Sequence, residues 1–320
     1  MSNIARSLFI GAFAVATAVI GLQAKEAQAF PDKEIQVIVN YGAGGSTDLS
    51  TRVLAEAAAK ILGQPLRVVN RAGGSGTVGP TFITNAKPNG YTIGVASFSP
   101  LAVAPHMQEV PYGLDDFRFI IGHARYRSGI AVSSESPYQT MKDLIEAGRS
   151  KGLNYAATDV LGAITMLRLG KETGAKFKWI RYKSGQEAAT ATLGGFVDLF
   201  LGNPTSITPQ VKTGKFRMLA SASSVRWYEL PDVATLKEQG YEVEVESYAG
   251  LAAPAGTSDE VVKTLEDAFA EALASDEVQK SLKDLGMEPV YMTSAEYETL
   301  LRKGHAAMAE DLPKVIDKKQ

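Results

Sequence analysis

Short apolar runs recur along the chain and alternate with longer segments whose apolar positions lie three or four residues apart. "EIQVIVN" (34–40), "PLRVVN" (65–70) and "YTIGVAS" (91–97) read as buried strands. Between the first two, Leu49, Val53, Ala57 and Ile61 recur at spacing four and predict a helix burying that face. Gly63 ends it and Pro65 lies just beyond. Strand, helix, strand, helix, strand predicts a parallel sheet with crossover helices.

The middle of the chain repeats this grammar. "SGIAVSS", "GLNYAAT", "KWIRYKS", "VDLFLGN" and "FRMLASAS" are strand candidates, spaced by helices such as "QTMKDLIEAG" and "QEAATATLGG". Towards the end, "TSDEVVKTLEDAFAEALAS" predicts a helix opened by a capping box of Thr257 and Glu260, burying Val261, Leu265, Ala268 and Ala272. A second box, Thr293 with Glu296, opens a final helix. No repeat of solenoid period is present. The expectation is an α/β chain of two units, the second inserted into the first. The crossing falls near "FIIGHARYRSG" and the return near "ESYAGLAAP", giving a first domain of residues 30–124 with 250–320 and a second of 125–249.

The first residues change the picture. Arg6, the apolar run "SLFIGAFAVATAVIGL" and "AQA" at 27–29 predict a cleaved secretory leader over residues 1–29. The run is short for a membrane span, and no second one is long enough. Without the leader's Arg6, Lys25 and Glu26, the 33 basic and 35 acidic residues become 31 and 34, a net charge of −3. Such a balance offers no basic face to nucleic acid or an anionic membrane. With no cysteine there is neither a disulfide framework nor thiol chemistry. The expectation is an exported, soluble monomer.

The candidate chemistry sits in two glycine-rich strand-to-helix connections, "YGAGGSTD" (41–48) and "RAGGSGTVG" (71–79). In the second, Gly74, Gly76 and Gly79 spell the dinucleotide fingerprint. The acidic residue that should follow about twenty positions on is missing from "YTIGVASFSP", so that reading is set aside. Glycine still permits positive φ angles and close approach of backbone amides to a ligand. Helix N-termini add orphan donors and partial positive charge. One such loop is most simply a tight turn; the matched pair favours an anion site. Its candidates are Tyr41, Ala43, Gly44, Gly45, Ser46 and Thr47 in the first loop, Gly73, Gly74, Ser75, Gly76 and Thr77 in the second, and Ser97 after the third strand. Asp48 would repel an anion and is read as a helix cap or loop brace.

The second unit supplies Thr158, Ser184, Gly185, Asn203 and Thr205 at further strand-to-helix junctions, each of which alone is more often a turn than a contact. Arg181 either pairs with a second carboxylate or sits on a solvated face. His106, His123 and His305 lack metal spacing and are assigned satisfied structural roles. There is no nucleophile elbow and no Walker A sequence. The sequence predicts no enzyme, no cofactor and no metal.

Over nearly the whole mature chain the sequence resembles the extracytoplasmic solute receptors of tripartite tricarboxylate transporters, the TctC or Bug family. The resemblance rests on "VNYGAGGSTDLSTRVLAE", "LGQPLRVVNRAGGSGTVG", "PNGYTIG", "VPYGLDDF", "YKSGQEAATATLGGFVD", "LPDVATLKEQGY" and "GLAAPAGTSDEVV", in that order. It implies a two-lobed periplasmic-binding-protein fold, type II-like, whose jaws close on a small carboxylate held by the two glycine loops. It also implies delivery to a large and a small integral membrane subunit, driven by an ion gradient. The chain departs from the family pattern at Asn40-Tyr41, where Pro-Phe is common, at Thr158 to Gly162, where Gly-x-Gly-Ser and His are common, and at Tyr248, where Trp is common. These departures fall where the distal end of a ligand should lie. A di- or tricarboxylate would suit the hydroxyls of the second wall; an aromatic acid would face Tyr41, Phe98 and Tyr248; an amino acid would need Asp159 near its ammonium. A receptor reporting to a membrane sensor and an exported enzyme acting on a small acid are the rival classes. A transcription regulator's sensing domain is set aside for want of DNA-binding helices.

Overall fold

The computed structural model describes residues 30–315; the leader expected over 1–29 lies outside them. The chain opens with β1 (Ile35–Val39), α1 (Ser46–Leu62), β2 (Leu66–Asn70), α2 (Val78–Thr84), β3 (Thr92–Val95) and β4 (Phe117–Tyr126). It continues with β5 (Gly129–Ser133), α3 (Met141–Ser150), β6 (Leu153–Ala157), α4 (Val160–Thr173), β7 (Phe177–Arg181), α5 (Gly185–Leu193), β8 (Leu199–Gly202), α6 (Pro204–Lys212) and β9 (Phe216–Ser221). It ends with β10 (Ser247–Pro254), α7 (Asp259–Ala274), α8 (Asp276–Asp284), β11 (Glu288–Thr293) and α9 (Ser294–Val315).

Two sheets result. One has six strands in the order β11-β4-β10-β3-β1-β2, the other five in the order β7-β6-β8-β5-β9. Within each, the βαβ units give parallel pairs, β2 and β3 flanking β1 and β7 and β8 flanking β6. The parallel arrangement expected of β1, β2 and β3 forms, and antiparallel strands extend both sheets beyond the parallel pairs. β4 leaves the first sheet for the second and β10 returns, so these two strands run side by side in opposite directions, with Tyr126 opposite Ser247. This paired crossing joins the lobes and places their facing edges on one cleft. Among the described residues no helix is long and apolar enough to cross a membrane.

Apolar burial explains why β1 is a central strand. Ile35, Val37, Ile38 and Val39 are all fully buried, each worth about 1.5–3 kcal/mol relative to exposure. Leu54 and Ala58 of α1 share a cluster with Leu265, Phe269 and Leu273 of α7 and with Ile93 and Val95 of β3. The face expected for α1 is displaced. Leu49, Val53 and Ala57 are half-buried and Ile61 is exposed, whereas Ser50, Thr51, Leu54, Ala55 and Ala58 are buried. A strict spacing of four drifts about 40° per turn on a helix of 3.6 residues, so it followed the flank of the stripe. In α7 the cap is Ser258, whose hydroxyl accepts from the Val261 amide, while Thr257 donates to the Pro254 carbonyl. The Thr293 box forms as read: Glu296 accepts from the Thr293 amide at 2.9 Å.

Candidate functional site

The first glycine loop ends in an open helix terminus. Gly44 turns the chain at φ +79°, and Gly45 occupies the N-cap of α1 with no side chain to satisfy the amides that follow. Those amides belong to Ser46 and Thr47, which face the cleft. Asp48 points the other way. Its carboxylate accepts from the Gly44 amide at 2.9 Å, Asn70 Nδ2 at 2.8 Å and Arg52 Nε at 3.0 Å. Burial pushes this carboxyl up, but the three donors and the Arg52 charge outweigh it and hold it below the usual range.

The second loop stands behind the first. Its residues Gly73, Gly74, Ser75, Gly76 and Thr77 do not line the cleft. Gly76 sits at φ +95°, and a Cβ there would lie 2.6 Å from the Tyr41 hydroxyl; one on Gly79 would lie 2.6 Å from Asn40 Cβ. Asn40 Nδ2 donates to the Gly76 carbonyl at 3.2 Å. These glycines admit Asn40 and Tyr41 at close range, and the Tyr41 ring stands between the second loop and the cavity. The motif is a buttress for the first loop.

Across the cleft, three more helices begin at its edge. Asp159 caps α4 through the Gly162 amide, Ser184 caps α5 through the Glu187 amide, and Asn203 precedes α6 without capping it. With α1, four helix N-termini converge on one cavity. The two lobes touch here: the Gly42 amide donates to the Lys183 carbonyl at 3.0 Å, and the hydroxyls of Ser46 and Thr205 share a hydrogen bond. The enclosed space is about 60 Å³, room for a few waters or a ligand of modest size.

Of the residues singled out from sequence, Tyr41, Gly45, Ser46, Thr47, Ser97, Thr158, Ser184, Gly185 and Asn203 line this cavity. Ala43, Gly44 and Thr205 lie outside the lining, Ala43 exposed, Gly44 braced by Asp48 and Thr205 holding Ser46. Sequence reasoning missed Ser99, Tyr126, Ser128 and Ser247. Tyr126 donates to or accepts from Thr47 Oγ1 at 2.8 Å. Tyr126, Ser128 and Ser247 all sit at the two crossings between sheets, and the crossing segments read from the sequence were the available signal. The aromatic wall does not assemble: Phe98 packs on Gly304 of α9, and Tyr248 lies beside Arg125 and Glu246. Arg181 is exposed and stacks on the Trp179 ring at 4.4 Å.

The histidines stand outside the cavity lining. His123 is fully buried with neither ring nitrogen partnered, and burial pushes its pKa down to about 4. The satisfied ring expected from the sequence is not found among the described residues. His106 and His305 stack with centroids 4.2 Å apart.

Among the described residues no Lys or Arg lines the cavity, and Asp159 is its single carboxylate. The wall therefore offers an anion neutral donors, namely hydroxyls and helix-end amides. Two α/β lobes joined by paired crossings, with a donor-rich cleft between them, define a periplasmic-binding-protein fold. The chain belongs to the tripartite tricarboxylate transporter family of receptors, whose model matches residues 50–311. A UPF0065 protein from the gbd 5′ region of Cupriavidus necator is 36% identical over 293 residues, 89% of each chain. The periplasmic binding protein BugD is similar in structure with a TM-score of 0.82 at 28% identity, over 89% of this chain and 98% of its own. Rpa4515 of R. palustris, solved with adipate, gives 0.81 at 25% identity, over 89% and 98%.

Proposed function

We propose that this chain is a periplasmic receptor that binds a small carboxylate between its lobes and delivers it to the integral subunits of a tripartite transporter. The observation that carries the reading is the convergence of four helix N-termini on a cavity without Lys or Arg. A buried carboxylate is stable only when its oxygens are fully hydrogen-bonded. The uncapped end of α1 supplies amide donors from one lobe, and Ser184, Gly185 and the Asn203 side chain supply polar groups from the other, with Ser46, Thr47 and Ser97 around them. The adipate found in a relative supports a carboxylate as the ligand class. The lobes are residues 30–124 with 250–320, and 125–249. Because donors come from both, the ligand favours the closed form by the contacts it gains there. Membrane subunits then recognise that form.

The test is thermal denaturation of the chain from Phe30, refolded from denaturant to strip bound ligand, against mono-, di- and tricarboxylates and amino acids. A ligand at a hundred times its Kd stabilises by about 2.7 kcal/mol, and recovery of the acid unchanged distinguishes a receptor from an enzyme. Absence of any shift with every carboxylate, from folded and ligand-free protein, overturns the reading. Uptake of the identified acid that persists after loss of the integral subunits overturns delivery.

A further inference from the structure

Asp159 is a carboxylate set in a wall otherwise suited to receive one. It lines the cavity, follows β6 and caps α4, with Oδ1 accepting from the Gly162 amide at 2.9 Å. Ser99 and the Leu161 amide add further stabilisation of the charged form, against the burial that raises its pKa. The groups that face it from other elements are Tyr41, Tyr126 and Tyr155, whose hydroxyls feel its charge. Among the described residues no Lys or Arg lines the cavity beside it. A buried charge with hydrogen bonds but no counter-charge is costly to maintain.

The cavity is thus polar in a directed sense. One side presents the uncapped N-terminus of α1, with Ser46 and Thr47; the α4 edge presents the Asp159 carboxyl, negative when ionised. A plain dicarboxylate satisfies the first and is repelled by the second. A molecule carrying an anion and a cation satisfies both. We propose that Asp159 is the specificity determinant of this receptor and takes the cationic group of its ligand, so that the cavity selects a small zwitterion of the amino-acid class over the corresponding simple acid. This rests on the reading of the cavity as a carboxylate site. The helix-end amides hold the ligand's carboxylate, Asp159 holds its ammonium, and the rings of Tyr41 and Tyr126 flank the pair.

Calorimetric titration of ligand-free protein with matched pairs tests this: L-alanine and propionate, L-aspartate and succinate, L-phenylalanine and 3-phenylpropionate. At least one amino acid is expected to bind tenfold or more tightly than its partner lacking the amine, and Asp159→Asn to weaken that amino acid by tenfold or more. Asn caps a helix about as well as Asp, so the variant should fold, which its melting curve checks. With Tyr41, Tyr126 and Tyr155 neutral at and below pH 7, affinity should also fall as acid protonates Asp159. Simple acids that bind as well as their amino partners, or an unchanged preference in Asp159→Asn, each overturn the inference while leaving the carboxylate site standing. Failure of every member of every pair removes that site and the inference together.

Discussion

Asp48 lies within one turn of the cavity proposed to take an anion, and its carboxylate is turned into the loop behind it. Three donors converge on its two oxygens, from Gly44, Arg52 and Asn70, and only 3% of its side chain is exposed. The loop conformation that opens the N-terminus of α1 therefore depends on a residue outside the cavity lining. Asp48→Ala strips the Gly44 amide and Asn70 of their acceptor and should cost about 2–3 kcal/mol in denaturant titrations at neutral pH. The pH dependence has a definite sign. Because the folded-state pKa is depressed, the stabilisation is fully present above the unfolded value of about 3.9 and is lost as pH falls through the folded one. The wild-type and Asp48→Ala curves should separate above pH 4 and converge below it. A gap that persists undiminished to pH 2 would assign the cost to packing instead. The sequence contained this brace in part: an acid beside an anion loop must be turned away, and Arg52 follows four residues later. Asn70 belongs to another strand, and only the register of β1 on β2 brings it near.

At the level of elements, legibility followed burial. β1, β3, β5, β6, β8 and β9 are short apolar runs that burial writes plainly into the chain, whereas β2 and β7, at sheet edges, are only part-buried and were legible from their apolar residues and flanking turns. β4 and β10 were read only as crossing segments, because they do both jobs at once, pairing in a sheet and carrying the chain between lobes. β11 is only partly buried along its length, and its composition "EPVYMT" carries no such pattern. The four helix termini were visible as hydroxyl and glycine junctions, but which of them share a cavity is a property of sheet order, not of spacing. The second glycine loop shows the limit most clearly. Its glycines have a reason, close approach, and the partner approached is the protein's own Tyr41. A buttress and a ligand site make opposite predictions for neighbouring residues. Ser75→Ala should leave affinity for the identified acid within twofold, since its hydroxyl has no partner and does not line the cavity. Gly76→Ala should lower affinity several-fold and cost about 1–3 kcal/mol, because it strains a left-handed backbone position and displaces Tyr41. Calorimetry on the two variants decides, and a loss of affinity in Ser75→Ala would return the second loop to the ligand.

For the whole molecule, the question is what closure requires. The cavity exists because Gly42 approaches the second lobe closely enough for its amide to reach the Lys183 carbonyl at 3.0 Å. A Cβ on Gly42 would stand 2.9 Å from Ser184 Cβ and 3.3 Å from that carbonyl oxygen. Its backbone is not in the left-handed region, so a side chain is tolerated locally and clashes only across the cleft. Gly42→Val therefore separates binding to one lobe from closure of two. If the ligand stabilises the closed state through donors on both sides, and the free protein opens so that Gly42 leaves the Lys183 contact, the variant should keep the unliganded stability within about 0.5 kcal/mol. It should lose the ligand-induced rise, with affinity lowered tenfold or more, since closure no longer adds the α5 and α6 ends to the site. Small-angle scattering reads the same event as shape: the wild type contracts on adding the acid, and Gly42→Val does not. Contraction of the variant at wild-type ligand concentration would mean that the lobes meet by another path, and that the Gly42–Lys183 contact accompanies closure without governing it.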